Sequence, residues 1–265
     1  MSKIGVGIIT CDRLNFYKKC ADSVLDISSV DVRVVVNDGE PFGNISNKYK
    51  LDKYIYTKNN IGVGKSKNKA LRYLLDQECE HIFLLEDDVY INEPSTFNRY
   101  IQASKDTGIK HFNFCLHGDD NKLNGKANPK IIVDYNNTKV ALYHNVYGAL
   151  SYYHRDVLDD VGLMDKEYFN AMEHVDHTMQ IIQSGYHPPF RWFADLADSD
   201  AMISEQDHGH SESKIRSDSQ WQDRFMTGVR RFQSKFNINV CNPAEPVASK
   251  QDVISCLKNI KSKHT

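Results

Sequence analysis

The 265-residue sequence has no long hydrophobic run. Nothing in it approaches the roughly 18 consecutive apolar residues that a membrane-spanning helix needs. The opening MSKIGVGIITCDR reaches Asp12 before any signal-length apolar stretch develops, so no export signal is read there. The expectation is a cytoplasmic protein without a transmembrane segment, for which peripheral membrane contact is still open. Its six cysteines, Cys11, Cys20, Cys79, Cys115, Cys241 and Cys256, contain no C-x-x-C pair. A chain of this length needs no disulfide staples, and reduced thiols are expected. The formal net charge is only -2, which gives a polyanion no global attraction and argues against nucleic acid as partner. No internal repeat or long low-complexity tract occurs. What is present is 40% hydrophobic and 26% charged residues, enough for one large globular core or a core with a smaller appendage.

Strand-like and helix-like stretches alternate through the first half. Residues 4–9 (IGVGII), 31–36 (DVRVVV) and 81–85 (HIFLL) read as buried strands, with a weaker one at 55–56. Residues 16–27 and 65–77 carry apolar side chains at helical spacing. This alternation predicts an α/β fold with a Rossmann-like, mostly parallel sheet flanked by helices. Such sheets bind ligands beyond the carboxyl ends of their strands. Segments 10–13, 37–39, 59–65 and 86–88 are therefore predicted to gather along one edge. The second half is less regular. It suggests helices at 95–107, 154–161, 172–183 and 217–235, a strand at 111–116, a hairpin over 131–143, and polar loops at 117–130 and 204–215. The expected organisation is a main domain over 1–215, with halves of about 1–95 and 96–215, and a C-terminal helical extension over 216–265.

Glu86, Asp87 and Asp88 follow the most apolar strand directly. In extended backbone, residues i and i+2 share a face, so Glu86 and Asp88 point together and Asp87 points away. Two carboxylates on one face repel, and burial makes both ions costlier. A hard divalent cation, Mn²⁺ or Mg²⁺, resolves the conflict and can bridge a carboxylate to a diphosphate. The plainer reading is a solvated turn or an N-cap cluster. In Asn59-Asn60-Ile61-Gly62-Val63-Gly64-Lys65-Ser66 the last three residues match a phosphate loop, but Asn59 stands where G-x-x-x-x-G-K-S/T needs its first glycine. A ligand loop whose glycines permit close backbone approach fits better, with Lys65 and Asn68 candidates to face phosphate or base.

Glu173-His174-Val175-Asp176-His177 opens a predicted helix. Glu173 shares a face with Asp176 and with His177, so a base there can take a proton from a hydroxyl. The alternatives are a solvent-facing charged helix, or zinc held by His174 and His177 with His208 or His210, although H-E-x-x-H is missing. His208 and His210 otherwise complete a metal shell, touch a diphosphate, or sit in an exposed loop. Trp192 reads equally as a sugar-stacking ring or as core packing.

In their order and spacing these segments resemble the family 2-like glycosyltransferases with the GT-A fold, over about residues 4–210. IITCDR is similar to the family's first strand and donor loop, which implies donor-binding roles for Thr10, Asp12 and Arg13. VVNDG resembles the second-strand signature and implies that Asp38 contacts base or ribose, although Asn37 is atypical. NNIGVGKSKNKAL resembles the N-x-G segment and implicates Asn59, Gly62, Lys65 and Asn68. LLEDDV looks like the metal-binding acidic motif. It implies Asp88 as the direct ligand, Glu86 beside it and Asp87 on the donor. The catalytic helix of the family often carries E-D-x-D with the first Asp as base; here that position is His174. The base is therefore open among Asp176, Glu173 and His174, with Asp176 favoured. The resemblance also implies a metal- or diphosphate-contacting histidine after that helix, His208 or His210. It implies inverting transfer from a nucleotide-sugar donor, UDP-linked by default, to a hydroxyl of a glycan or glycoconjugate. Two rivals share the acidic strand end: a metal-dependent nucleotide phosphohydrolase and a sugar-phosphate nucleotidyltransferase. A non-catalytic carbohydrate-binding protein has no use for it.

Overall fold

The computed structural model describes residues 2–206, 217–242 and 244–265. Its first half builds β1 (Ile4–Thr10), α1 (Leu14–Leu25), β2 (Val32–Asn37), β3 (Lys53–Tyr56), α2 (Val63–Asp76) and β4 (His81–Glu86). After β5 (Val89–Ile91) and α3 (Thr96–Thr107) come β6 (His111–Asn113) and the small hairpin β7 (Lys122–Leu123) and β8 (Lys126–Ala127). Then follow β9 (Ile131–Asp134), β10 (Lys139–Tyr143), β11 (Leu150–His154), α4 (Arg155–Val161) and α5 (Glu173–Gln183). The chain ends through β12 (Phe193–Leu196), α6 (Ser199–Met202), β13 (Ile203–Glu205), α7 (Trp221–Phe236) and α8 (Lys250–His264).

The main sheet has the order β3-β2-β1-β4-β11-β6. β3, β2, β1 and β4 are parallel, which is the predicted architecture. The buried apolar runs of β1, β2 and β4 suit a sheet covered on both sides, while β3 at the sheet edge is partly exposed. Alternation sends Phe83 and Leu85 into one core cluster with α1 and α3, and Ile82 and Leu84 into another with α2. Ala70, Leu71 and Leu74 are the buried stripe of α2 against that second face. A three-stranded antiparallel sheet, β12-β10-β9, and the pair β13-β5 flank the site end.

The structure departs from the sequence reading in a few elements. β11 was not expected; it pairs antiparallel with β4 and brings residue 149 beside Glu86, whose N–H donates to the Ala149 carbonyl at 2.7 Å. β12 was also not expected, and α8 falls within the helical extension expected over 216–265. The 117–130 loop contains the β7–β8 hairpin, and the strand predicted over 111–116 ends at Asn113. Val253, Leu257 and Ile260 of α8 join the main core, while Val229 and Phe232 of α7 pack on Tyr168 and Met172. Trp192 is buried among core residues and its indole N–H donates to the Ala248 carbonyl, so it is a packing residue. Among the described residues, no helix is long and apolar enough to cross a membrane.

Candidate active site

The carboxyl ends of β1, β2 and β4 open onto one pocket. It draws on all four of the predicted segments, through Thr10, Arg13, Asp38, Asn60 and the run from Glu86 to Asp88. Cys11, from the predicted 10–13 segment, also lines it, as does Asn170, to which nothing in the sequence had pointed.

The three acids have three different settings. β4 ends at Glu86, and Asp87 and Asp88 form a turn, so the two-residue alternation expected of extended backbone stops there. Asp87 turns inward, accepts from Thr10 Oγ1 at 2.6 Å and is gripped by the Arg13 guanidinium. Burial raises its pKa to about 7, against the pull of the Arg13 charge. Asp88 lies 3.7 Å from Arg13 Nη2 and 4.0 Å from His117 Nε2. His117 Nδ1 is in turn 3.3 Å from Glu205, whose carboxylate also accepts from the Gly118 N–H and Lys122. A carboxylate behind an imidazole is the usual outer support of a metal-binding histidine. Asp88 oxygen and His117 nitrogen suit Mn²⁺ or Mg²⁺, which take few protein ligands when a diphosphate supplies the rest. Among the described residues, no group of three or more His, Cys, Asp or Glu is set to hold an ion. His208 and His210 lie outside the described residues.

The loops around the pocket are tied by the other predicted residues. The Asp12 N–H donates to Asn37, and its carboxylate accepts from the Glu40 N–H at 2.9 Å, joining the first two strand ends. Asp38 is buried, and accepts from the Thr57 hydroxyl and from the N–H groups of Ile61 and Gly62 at 2.8–2.9 Å. Its carboxylate thus anchors segment 57–62 as well as lining the pocket. Gly62 has φ 96°, and a Cβ there would lie 2.5 Å from the Phe169 carbonyl oxygen, so only glycine fits. Asn59 and Lys65 are exposed, and neither lines the pocket; Asn60 does. Asn68 does not face the pocket either. Its side chain exchanges two hydrogen bonds with the Met164 backbone at 2.8 and 3.0 Å, a structural clamp of α2.

The helix α5 contributes a second cluster. Lys67, buried on α2, places its ammonium 2.6 Å from Glu86 Oε1, 3.0 Å from Glu173 Oε1 and 3.2 Å from the Gly148 carbonyl. Burial works against that charge, but Glu86 and Glu173 outweigh it and raise the ammonium's pKa. Glu173 is likewise pushed the wrong way by burial, yet Lys67 and His174 hold its pKa below the ordinary carboxylate range. The His174 ring, partly exposed but not among the residues that line the pocket, sets Nδ1 3.2 Å from Glu173 Oε1. Asp176 is fully buried instead. It accepts from the Tyr168 hydroxyl at 2.8 Å, from Gln180 at 2.5 Å and from Lys235 of α7 at 2.6 Å, and it does not line the pocket. His177 is buried too, with Nε2 on the Gly162 carbonyl, so the shared face of Glu173, Asp176 and His177 points into the protein.

Solved structures share this architecture. Residues 1–349 of S. aureus TarS superpose with a TM-score of 0.59 at 15% identity, covering 99% of this chain and 72% of that one. GalNAc-T7 with UDP, GalNAc and Mn²⁺ gives 0.56 at 12% identity, over 100% of this chain and 54% of the other. Mannosyltransferase PcManGT from Pyrobaculum calidifontis, in complex with GDP-Man and Mn²⁺, gives 0.51 at 14% identity, over 69% of this chain and 53% of the other. No protein-family model and no curated protein matches the sequence. The mostly parallel sheet between helices, with its pocket beyond the strand ends, defines a Rossmann-like fold. More particularly, it is the GT-A fold.

Proposed function

We propose that this chain is a glycosyltransferase that moves a sugar from a nucleoside-diphosphate sugar to a hydroxyl of a glycan or glycoconjugate, with inversion. The observation that carries the reading is the pocket at the strand ends, where Asp88 stands beside an imidazole and a guanidinium at the mouth of a loop-lined cleft. UDP is the preferred carrier: TarS has been solved with UDP, and GalNAc-T7 with UDP, GalNAc and Mn²⁺. Mn²⁺ or Mg²⁺, held by Asp88 with His117 or a histidine of the 208–210 segment, would neutralise charge on the diphosphate. We locate the reaction in the cytoplasm.

The remaining chemistry belongs to the chain. Asp38 and the 57–62 loop it anchors shape the nucleotide side, and Arg13 adds positive charge near the phosphates. His174 replaces Asp176 as the favoured base, because His174 is partly exposed whereas every oxygen of Asp176 is engaged inside the protein. The acceptor oxygen attacks the anomeric carbon and its proton passes to His174 Nε2. The bond from that carbon to the diphosphate breaks, and its electron pair leaves with the nucleotide. Orientation and charge stabilisation supply most of the rate.

A panel of UDP- and GDP-sugars, with and without Mn²⁺ or Mg²⁺ and with mixed glycan acceptors, tests this. Metal-dependent thermal stabilisation by one donor and acceptor-dependent release of nucleoside diphosphate are expected. Rapid release without acceptor would instead make the protein a hydrolase, and absence of any donor-induced shift would remove the reading.

A further inference from the structure

Glu86 belongs to the pocket and Glu173 to the base, and one buried cation joins them. We propose that Lys67 is a positioning residue that locks the Glu173–His174 pair to the strand end carrying the acidic cluster, so that His174 presents Nε2 to the acceptor. This role rests on His174 acting as base, as proposed above.

Three observations carry it. First, Lys67 has three N–H donors and three acceptors, Glu86 Oε1, Glu173 Oε1 and the Gly148 carbonyl, at 2.6, 3.0 and 3.2 Å. A fully engaged ammonium has one orientation, unlike a lysine on a surface. Second, Glu173 Oε1 receives both Lys67 and His174 Nδ1. A carboxylate is acceptor-only, so Nδ1 of a neutral His174 carries the proton and the lone pair is left on Nε2. That is the tautomer a base needs. Third, the junction has no spare room. A Cβ at Gly148 would lie 2.6 Å from Lys67 Nζ, 3.1 Å from Glu86 Oε1 and 3.1 Å from His174 Nδ1. The β11 end that carries Gly148 is held beside Glu86 by the Ala149 carbonyl, so the backbone cannot retreat without breaking that bond. The cluster is thus walled in on the side away from solvent.

Lys67 is buried and does not line the pocket, so it acts through Glu173. Ring ¹⁵N chemical shifts of His174 read this directly and need no substrate. The wild type is expected to show the Nδ1–H form at neutral charge, and Lys67→Arg to retain it. Lys67→Met and Gly148→Ala should move the ring toward the Nε2–H form. Gly148→Ala removes no charge, so it guards against a Lys67→Met protein that does not fold. With the donor found by the nucleotide-sugar panel, kcat for transfer should fall about 10–100-fold in both variants, while affinity for UDP with Mn²⁺ changes less than threefold. In a His174→Ala background the same substitutions should lower kcat no further. An unchanged His174 tautomer in a folded Lys67→Met or Gly148→Ala protein overturns the positioning role. Normal transfer by His174→Ala overturns the base assignment instead, and the ring shifts still report whether Lys67 orients the histidine.

Discussion

His174 and Asp176 stand two residues apart on one helix, and their surroundings give them different work. Asp176 ties α5 to α7 through Lys235 and to Tyr168, whereas His174 stands at the edge of the Lys67 cluster. Asp176→Ala is expected to lower unfolding free energy by about 2–4 kcal/mol, since Tyr168 and Lys235 lose their acceptor. Denaturant titration reads this, and UDP binding should be unaffected. Full stability with abolished transfer would return the base role to Asp176. Asp88→Ala is expected to weaken Mn²⁺-dependent UDP binding by about a hundredfold or more with little change in melting temperature; calorimetric titration gives the answer. At this scale the sequence was legible in placing Glu86 to Asp88, which follow an apolar strand, at the pocket, but not in the alternation of their side chains, which the turn at Asp87 and Asp88 ends. It was silent on Lys67, whose partners Gly148 and Glu173 lie 81 and 106 positions away. No spacing rule reaches across such a gap. His117 was hidden for a related reason, because it belonged to a stretch that read only as polar loop.

Elements were legible in proportion to their length and their burial. β1, β2 and β4 are apolar runs of six or seven residues, and α2 has a clean apolar stripe. β11 and β12 are short, carry Tyr, His and Asp, and take their strand geometry from partners that are distant in the chain. Local propensity is weak evidence for such strands. The 57–62 segment shows what an element owes to one side chain. Asp38 accepts from three donors there, so Asp38→Ala leaves the Ile61 amide without a partner and the Gly62 amide with Asn60 Oδ1 alone. Amide exchange at those two positions is expected to accelerate, with UDP affinity falling at the same time. Protection equal to wild type would mean that Asn60 and the packing of Gly62 against Phe169 hold the loop without Asp38.

Across the whole molecule, buried titratable groups set the response to acid. Burial lowers the pKa of His81, His177 and His187 to about 4 and pushes His111 well below its ordinary value. These rings stay neutral in the folded protein but take up protons below the ordinary value of about 6.5 once unfolded. Their stabilisation is complete above that value and is lost as pH falls toward 4. Burial raises Asp87 and Asp195 to about 7, which acts in the opposite direction over the same window. The lowered imidazoles, which also include His144, His154 and His264, outnumber the two raised carboxyls, so unfolding takes up protons on balance near pH 5. The slope is about 1.4 kcal/mol per pH unit for each net proton. Melting temperature should therefore drop progressively from pH 6.5 to 4 in the ligand-free protein. A flat profile would show that the imidazoles charge without unfolding.

The same interior shelters half of the cysteines. Cys20, Cys79 and Cys115 are buried, while Cys11 is partly open on the wall of the pocket at the strand ends. A thiol in that position is a natural attachment point for a reporter. With Cys241 and Cys256 replaced by serine, a small maleimide dye on Cys11 should be displaced or quenched as a nucleotide enters. The protein would then announce which nucleotides it holds before any acceptor has been identified.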